Sequence, residues 1–260
     1  MDLKQDRMPV LFVGHGNPMN AIEENDFSRC WRKLATELPR PKAILCISAH
    51  WETEGTRVTA METPPTIHDF GGFPEELYAV QYPAPGSPEL ARETRGAVEK
   101  AAVGLDAEWG LDHGCWSVLK QMYPKADVPV VQLSLDRMQP ARYHYELAKE
   151  LGPLRHGGVL ILGSGNMVHN LRRIDFQSPF GFDWALAANA LFKKLIDENR
   201  HEELVDYRSL GSAVQLAVPT NEHYLPMLYA VALRQTEEPL AYFNDAPLAG
   251  SLTMTSFRIG

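Results

Sequence analysis

The sequence predicts an α/β fold, a single domain with a mostly parallel central sheet flanked by helices and a metal site at the carboxyl ends of the strands. Three observations carry this. Short runs at Pro9–Val13, Ala43–Ser48 and Val159–Leu162 are apolar almost throughout, as strands covered on both faces are. The stretches between them space their apolar residues as helices do. Each run also stops abruptly at a chemically distinctive turn, Gly14-His15-Gly16, Ala49-His50-Trp51 or Gly163-Ser164-Gly165-Asn166. In open α/β sheets the crevice beyond the strands' carboxyl ends is where ligands bind. No linker interrupts the chain, so residues 1–260 read as one domain.

Taken in order, Pro9–Val13 reads as a buried strand ending in a tight turn, where glycines on both sides clear space beside the His15 imidazole. Asn25 or Asp26 caps a helix carrying Phe27, Trp31, Leu34 and Leu38, and Pro39 and Pro41 end it. Ala43–Ser48 repeats the opening pattern and puts His50 where a second strand should leave the sheet. Joined by a crossover helix, these two strands are expected side by side, which would make His15 and His50 a candidate metal pair. Arg57–Met61 reads as a further strand.

From Glu62 to Ser87 the chain is loop-like, punctuated by five prolines and the pair Gly71-Gly72, and a loop of this length is usually functional. Its centre, Ile67–Phe73, has the aromatics and glycines of a lid over an apolar substrate. His68 has two readings there, a hydrogen bond to Asp69 or a place in the site. Pro88–Ala102 reads as a helix, and His113 stands beside glycine just before another that holds Val118, Leu119 and Met122. Val128–Leu135 is strand-like. Pro140–Leu154 is helical, with His144 and His156 expected at solvent or as caps.

The glycine-rich turn after Leu162 leads to Met167-Val168-His169-Asn170 and lacks the GxGxxG spacing, so it is not read as dinucleotide-binding. Phe182–Asn199 is an amphipathic helix, with His201 solvated beyond it. After Val214–Val218, Thr220 is expected to cap a helix burying Leu225, Leu228, Tyr229 and Ala232. Leu240–Phe243 and Ser251–Arg258 read as closing strands.

Composition narrows the functional classes. At 260 residues a chain can bury roughly three quarters of its unfolded surface, and 45% hydrophobic with 22% charged residues is ordinary for a globular protein. A net charge of −8 gives no electrostatic support for nucleic acid or an anionic membrane as partner. No apolar run approaches the roughly 18 residues of a membrane span, and the opening MDLKQDR lacks a signal peptide's apolar core, so the cytoplasm is the expected location. Cys30, Cys46 and Cys115 show no paired spacing, and Cys46 reads as a small buried hydrophobe.

Of nine histidines, His15, His50, His113, His169 and His223 stand beside glycine or at predicted element ends. Their intervals are tens of residues long, and neither HExxH nor a cysteine pair is present. Imidazole suits iron and zinc alike, so the residues point to a metal without fixing its chemistry.

Seven segments together resemble a known family: GHGNPM (14–19), SAHW (48–51), METPPTIHDFGGFP (61–74), YPAPGSP (82–88), LDHG (111–114), SGNMVHN (164–170) and EHYLP (222–226). They are similar to the signatures of the 4,5-DOPA extradiol dioxygenases, within the class III extradiol ring-cleavage family, over nearly the whole chain and in order. The resemblance implies a non-haem iron(II) centre, which zinc(II) can also occupy, cutting a catechol ring beside its hydroxyls with O2 to give a muconic semialdehyde. It implies His15 and His50 as metal ligands, with His223 or Glu222 completing the set. By the same resemblance His169 is the acid/base and a possible fourth ligand to zinc, and His113 faces substrate or oxygen. Asn17 stands where the family is expected to have serine, a change that could alter hydrogen bonding to His15. A zinc hydrolase on the same ligands and a non-catalytic metal-binding protein of the same fold are the alternatives.

Overall fold

The computed structural model describes residues 7–260. Its strands are β1 (Val10–Gly14), β2 (Ala43–Thr53), β3 (Thr56–Thr59), β4 (Val103–Asp106), β5 (Val130–Asp136), β6 (Val159–Gly165), β7 (Leu240–Phe243), β8 (Pro247–Leu248), β9 (Leu252–Thr253) and β10 (Ser256–Ile259). Its α-helices are α1 (Asp26–Glu37), α2 (Glu75–Tyr78), α3 (Pro88–Ala97), α4 (His113–Met122), α5 (Ala141–Glu150), α6 (Gly152–His156), α7 (Asp183–Asp197), α8 (His201–Val205), α9 (Ser212–Ala217) and α10 (Leu225–Ala232). Eight strands form one sheet in the order β4-β3-β5-β2-β6-β1-β10-β7, and β8 and β9 pair separately.

The alternation of side chains along a strand divides the core into two layers. Val10 and Phe12, Leu45 and Ile47, and Val159 and Ile161 pack on one face with α5, α7 and α10. Leu11 and Val13, Ile44 and Cys46, and Leu160 and Leu162 pack on the other with α1 and α4. Both faces are covered, which is why these strands carry so few polar residues.

The expectation that β1 and β2 lie side by side is wrong, because β6 runs between them, parallel to both. Two glycines suit β6 to that central position. A Cβ at Gly163 would meet the Pro226 carbonyl oxygen at 2.4 Å, and one at Gly165 would meet that of His223 at 2.2 Å. Only a strand without those side chains lets the start of α10 approach so closely.

Other differences are local. β2 continues through His50 to Thr53, with a register shift against β5 between Ile47 and Glu52, while its pairing with β6 stops at Ser48. The predicted 88–102 helix ends at Ala97, and the short half-exposed β4 follows. Helix 140–154 is two helices, α5 and α6. Asn25 caps α1 as expected, with its side chain and that of Ser28 each accepting from the other's backbone N–H. Thr220 caps no helix; its hydroxyl donates to Glu222, and α10 begins only at Leu225. The closing segment holds two strands rather than one, β9 paired with β8 and β10 in the large sheet between β1 and β7.

Candidate metal centre

Five elements deliver five histidines to one end of the sheet. His15 follows β1, with its backbone N–H still bonded to Gly165 O at 3.1 Å. His50 lies on β2 just past the end of its β6 pairing. His113 opens α4, which Asp112 caps by accepting from Cys115 N. His169 follows β6 and bridges to Leu252, and its N–H donates to Ala217 O. His223 precedes α10 and sends its carbonyl to Asn166 N at 2.9 Å.

One nitrogen from each of His15, His50 and His223 falls within a common 4.8 Å span. The Nε2 atoms of His15 and His50 are 3.0 Å apart. Neighbouring nitrogens bound at about 2.1 Å from one ion stand roughly that far from each other. Their other nitrogens are tied outward. His15 Nδ1 lies 3.0 Å from Ser164 Oγ, His223 Nδ1 lies 3.1 Å from Glu222 Oε1, and His50 Nδ1 lies 3.5 Å from Asp69. An imidazole held by one nitrogen presents the lone pair of the other, which is the arrangement a metal-binding histidine needs.

The electrostatics agree. Burial, then the neighbouring imidazoles, hold His15 and His223 well below the usual histidine range. Burial, then His113, brings His50 to about 3 against the opposing pull of Asp69. Neutral rings are the form that binds a cation, so the donor set fits a transition metal.

The flanks of the centre differ. His169 stacks on His223 with ring centroids 3.6 Å apart and planes 7° from parallel, and burial lowers it to about 4 although Glu222 opposes this. His169, Glu222 and His223 form a second close group, but Glu222 is not within the group formed by His15, His50 and His223. On the other side His113 Nδ1 and backbone N–H both donate to Asp69, each at 2.9 Å. Burial would raise the Asp69 carboxyl, yet the His113 side chain outweighs it and holds the group below the usual carboxylate range.

The 62–87 loop forms the wall beside His113. It is pinned by the Thr66–Leu111 bridge and by Gly86 N donating to Glu62 O. Phe70 meets the His113 ring edge-on at 5.5 Å and packs against Phe73, Tyr78 and Trp116. This is the aromatic surface expected over an apolar substrate.

Several sequence readings need correction. His68 does not bond Asp69; its Nε2 meets Val80 O at 3.0 Å, inside the loop. Asn17 does not bond His15 through its side chain, which accepts from Met19 N and caps the following 3-10 turn. The glycines around His15 do more than clear space. A Cβ at Gly14 would meet the Met254 backbone at 2.8 Å, and Gly16 has a φ of +61°. His144 is fully buried rather than solvated, bonded to Tyr229 Oη and Asp136 O. His201 is half-buried against Tyr145. His156 is exposed as expected. Sequence reasoning gives Asp69 the wrong imidazole and Ser164 none; the signal available for each is a polar residue within a histidine motif.

The family described as the catalytic LigB subunit of aromatic ring-opening dioxygenase matches residues 9–241. A 4,5-DOPA dioxygenase extradiol of Escherichia coli K12 is 47% identical, over 99% of this chain and 97% of its own. A protein of the same name from Beta vulgaris is 39% identical, over 96% and 95%. A crystal structure of an uncharacterized protein from Escherichia coli K12 superposes with a TM-score of 0.84 at 42% identity, covering 98% of this chain and all of that one.

Proposed function

Because this chain belongs to the LigB family of aromatic ring-opening dioxygenases, we propose that it cuts the ring of a DOPA-like catechol beside its hydroxyls, at iron(II) held by His15, His50 and His223. It is an extradiol dioxygenase, its substrates are a catechol and O2, and the enzymes of this family are metal-dependent. The proposed product is a muconic semialdehyde of the seco-DOPA type, formed by one ring-cleavage domain spanning 1–260. The observation that carries the metal assignment is the convergence of three neutral imidazoles, those of His15 and His223 buried and that of His50 partly so, whose outer nitrogens face Ser164, Glu222 and Asp69.

When bound, iron(II) acts as a Lewis acid that eases catechol deprotonation and brings substrate and O2 together. The chain supplies the remainder. No side chain among the described residues hydrogen-bonds the His169 ring, so a neutral ring nitrogen there can take a catechol hydroxyl proton, help typically worth about 10²- to 10⁴-fold. When protonated on both ring nitrogens, His113 gives Nδ1–H to Asp69 and Nε2–H to negative charge developing on oxygen. Phe70 and its aromatic neighbours supply an apolar wall beside His113 against which the catechol ring would pack.

Glu222 accepts from His223 in this reading, and zinc(II) at the site would be held by the same three nitrogens, with His169, stacked on His223, the candidate for a fourth ligand. The cytoplasm is the proposed location; no helix among the described residues is long and apolar enough to cross a membrane.

The test is anaerobic purification, separate reconstitution with iron(II) and zinc(II), and addition of L-DOPA or simple catechols with O2. Oxygen uptake with a yellow semialdehyde in the iron sample alone is expected. Ester or amide hydrolysis by the zinc sample would point instead to a hydrolase, and inactivity in every mixture to a non-catalytic protein. His15→Ala is expected to lose metal by elemental analysis, while His169→Ala keeps iron and loses turnover; equal metal loss in both would make His169 a ligand.

A further inference from the structure

We propose that Ser164 is a positioning residue that fixes which nitrogen of His15 carries the proton, and so aims the Nε2 lone pair into the metal centre. The inference rests on the metal reading of the site, but its evidence is the direction of two hydrogen bonds. Ser164 is fully buried on β6, between the strands that carry His15 and His50. Its Oγ lies 2.6 Å from the carbonyl oxygen of Gly114. A carbonyl only accepts, so the single hydroxyl proton of Ser164 is committed to that contact. Only lone pairs remain on Oγ to face His15 Nδ1 at 3.0 Å, and that contact is a hydrogen bond only when Nδ1 bears the proton. A neutral imidazole protonated on Nδ1 has a bare Nε2, the atom that lies 3.0 Å from Nε2 of His50.

The anchor differs in kind from those of the neighbouring rings. Asp69 and Glu222, both partly exposed, accept from His113 and His223. His15 is only 1% exposed and its anchor none at all, and a carboxylate enclosed there would face no compensating cation among its hydrogen-bond partners. A hydroxyl relay gives direction without a charge. It also ties β1 and β6 to the first turn of α4, which carries His113. Gly114 itself has no room for a side chain, since a Cβ there would meet Ser48 Oγ at 2.5 Å and His50 Cδ2 at 2.9 Å.

Two measurements test this. In metal-free protein labelled with ¹⁵N-histidine near neutral pH, His15 is expected as a single tautomer protonated on Nδ1, its signals assigned with His15→Gln. In Ser164→Ala the two tautomers are expected to mix, and zinc(II) affinity, measured by competition with a chromophoric chelator, is expected to fall about 10- to 100-fold. A variant that melts earlier yet keeps the single tautomer and the parent's affinity would overturn the proposal in favour of a packing role. Should the variant fail to fold, an Nε2-protonated His15 in the parent would overturn it alone. A parent that binds no divalent metal would refute the metal reading, while the tautomer signal would still decide the role of Ser164.

Discussion

Asp69 serves two imidazoles at once: it accepts from His113 at 2.9 Å and stands 3.5 Å from His50. Asp69→Asn keeps the shape but removes the charge and one acceptor. Iron is expected to remain bound while turnover of a catechol falls about 10- to 100-fold, read as oxygen uptake against metal content in the same samples. Loss of iron equal to that in His15→Ala would instead make Asp69 essential to the metal itself. The histidines were legible because each stands beside glycine or at an element boundary. Apart from Glu222 beside His223, their partners were not. His113 and Asp69 are 44 residues apart, and His15 and Ser164 are 149 apart, so no local spacing could join them. The sequence suggested pairing Asp69 with its neighbour His68, yet in the fold the two side chains serve different partners.

At the scale of elements, the apolar runs β1, β2 and β6 could be read because both faces of each are buried, and α1 because its cap and its periodicity agree. β4 escaped notice because two of its four residues face solvent. Sheet order escaped too, since it is set by which strand lets α10 approach, a contact visible only in three dimensions. His144 shows how a helix pair conceals a residue. It lies on α5 against Tyr229 of α10, and burial lowers it to about 4. An unfolded histidine protonates below about 6.5, so stabilisation by the neutral buried ring is whole above that pH and is lost as pH falls from about 6.5 to 4. The complete loss corresponds to on the order of 3 kcal/mol. His144→Gln, which cannot titrate, is expected to show a shallower decline of its urea midpoint across that window than the parent. Parallel declines would exclude His144 as a source of acid sensitivity.

At the scale of the molecule, a buried ion pair joins distant segments. Arg155 on α6 donates to Met8 O before β1, to Leu233 O after α10 and to both carboxylate oxygens of Glu238 before β7. Burial would raise the Glu238 carboxyl, but Arg155 and the Gln235 N–H hold it below the usual range. Glu238→Ala leaves the buried guanidinium without its countercharge, held only by Met8 O and Leu233 O, and is expected to cost about 3 kcal/mol in urea unfolding. A loss below about 1 kcal/mol would mean that the two backbone carbonyl contacts suffice.

The junction of β1 with β10 carries a further consequence. Gly14, one residue before His15, donates its N–H to Ser256 Oγ at 2.9 Å, and Val10–Phe12 pair antiparallel with residues 257–259. A ribosome makes β10 after every other element described, so β1 waits through the synthesis of all of them for one of its two neighbours. The turn to His15 therefore gains its second flanking strand only after the other described elements have been made.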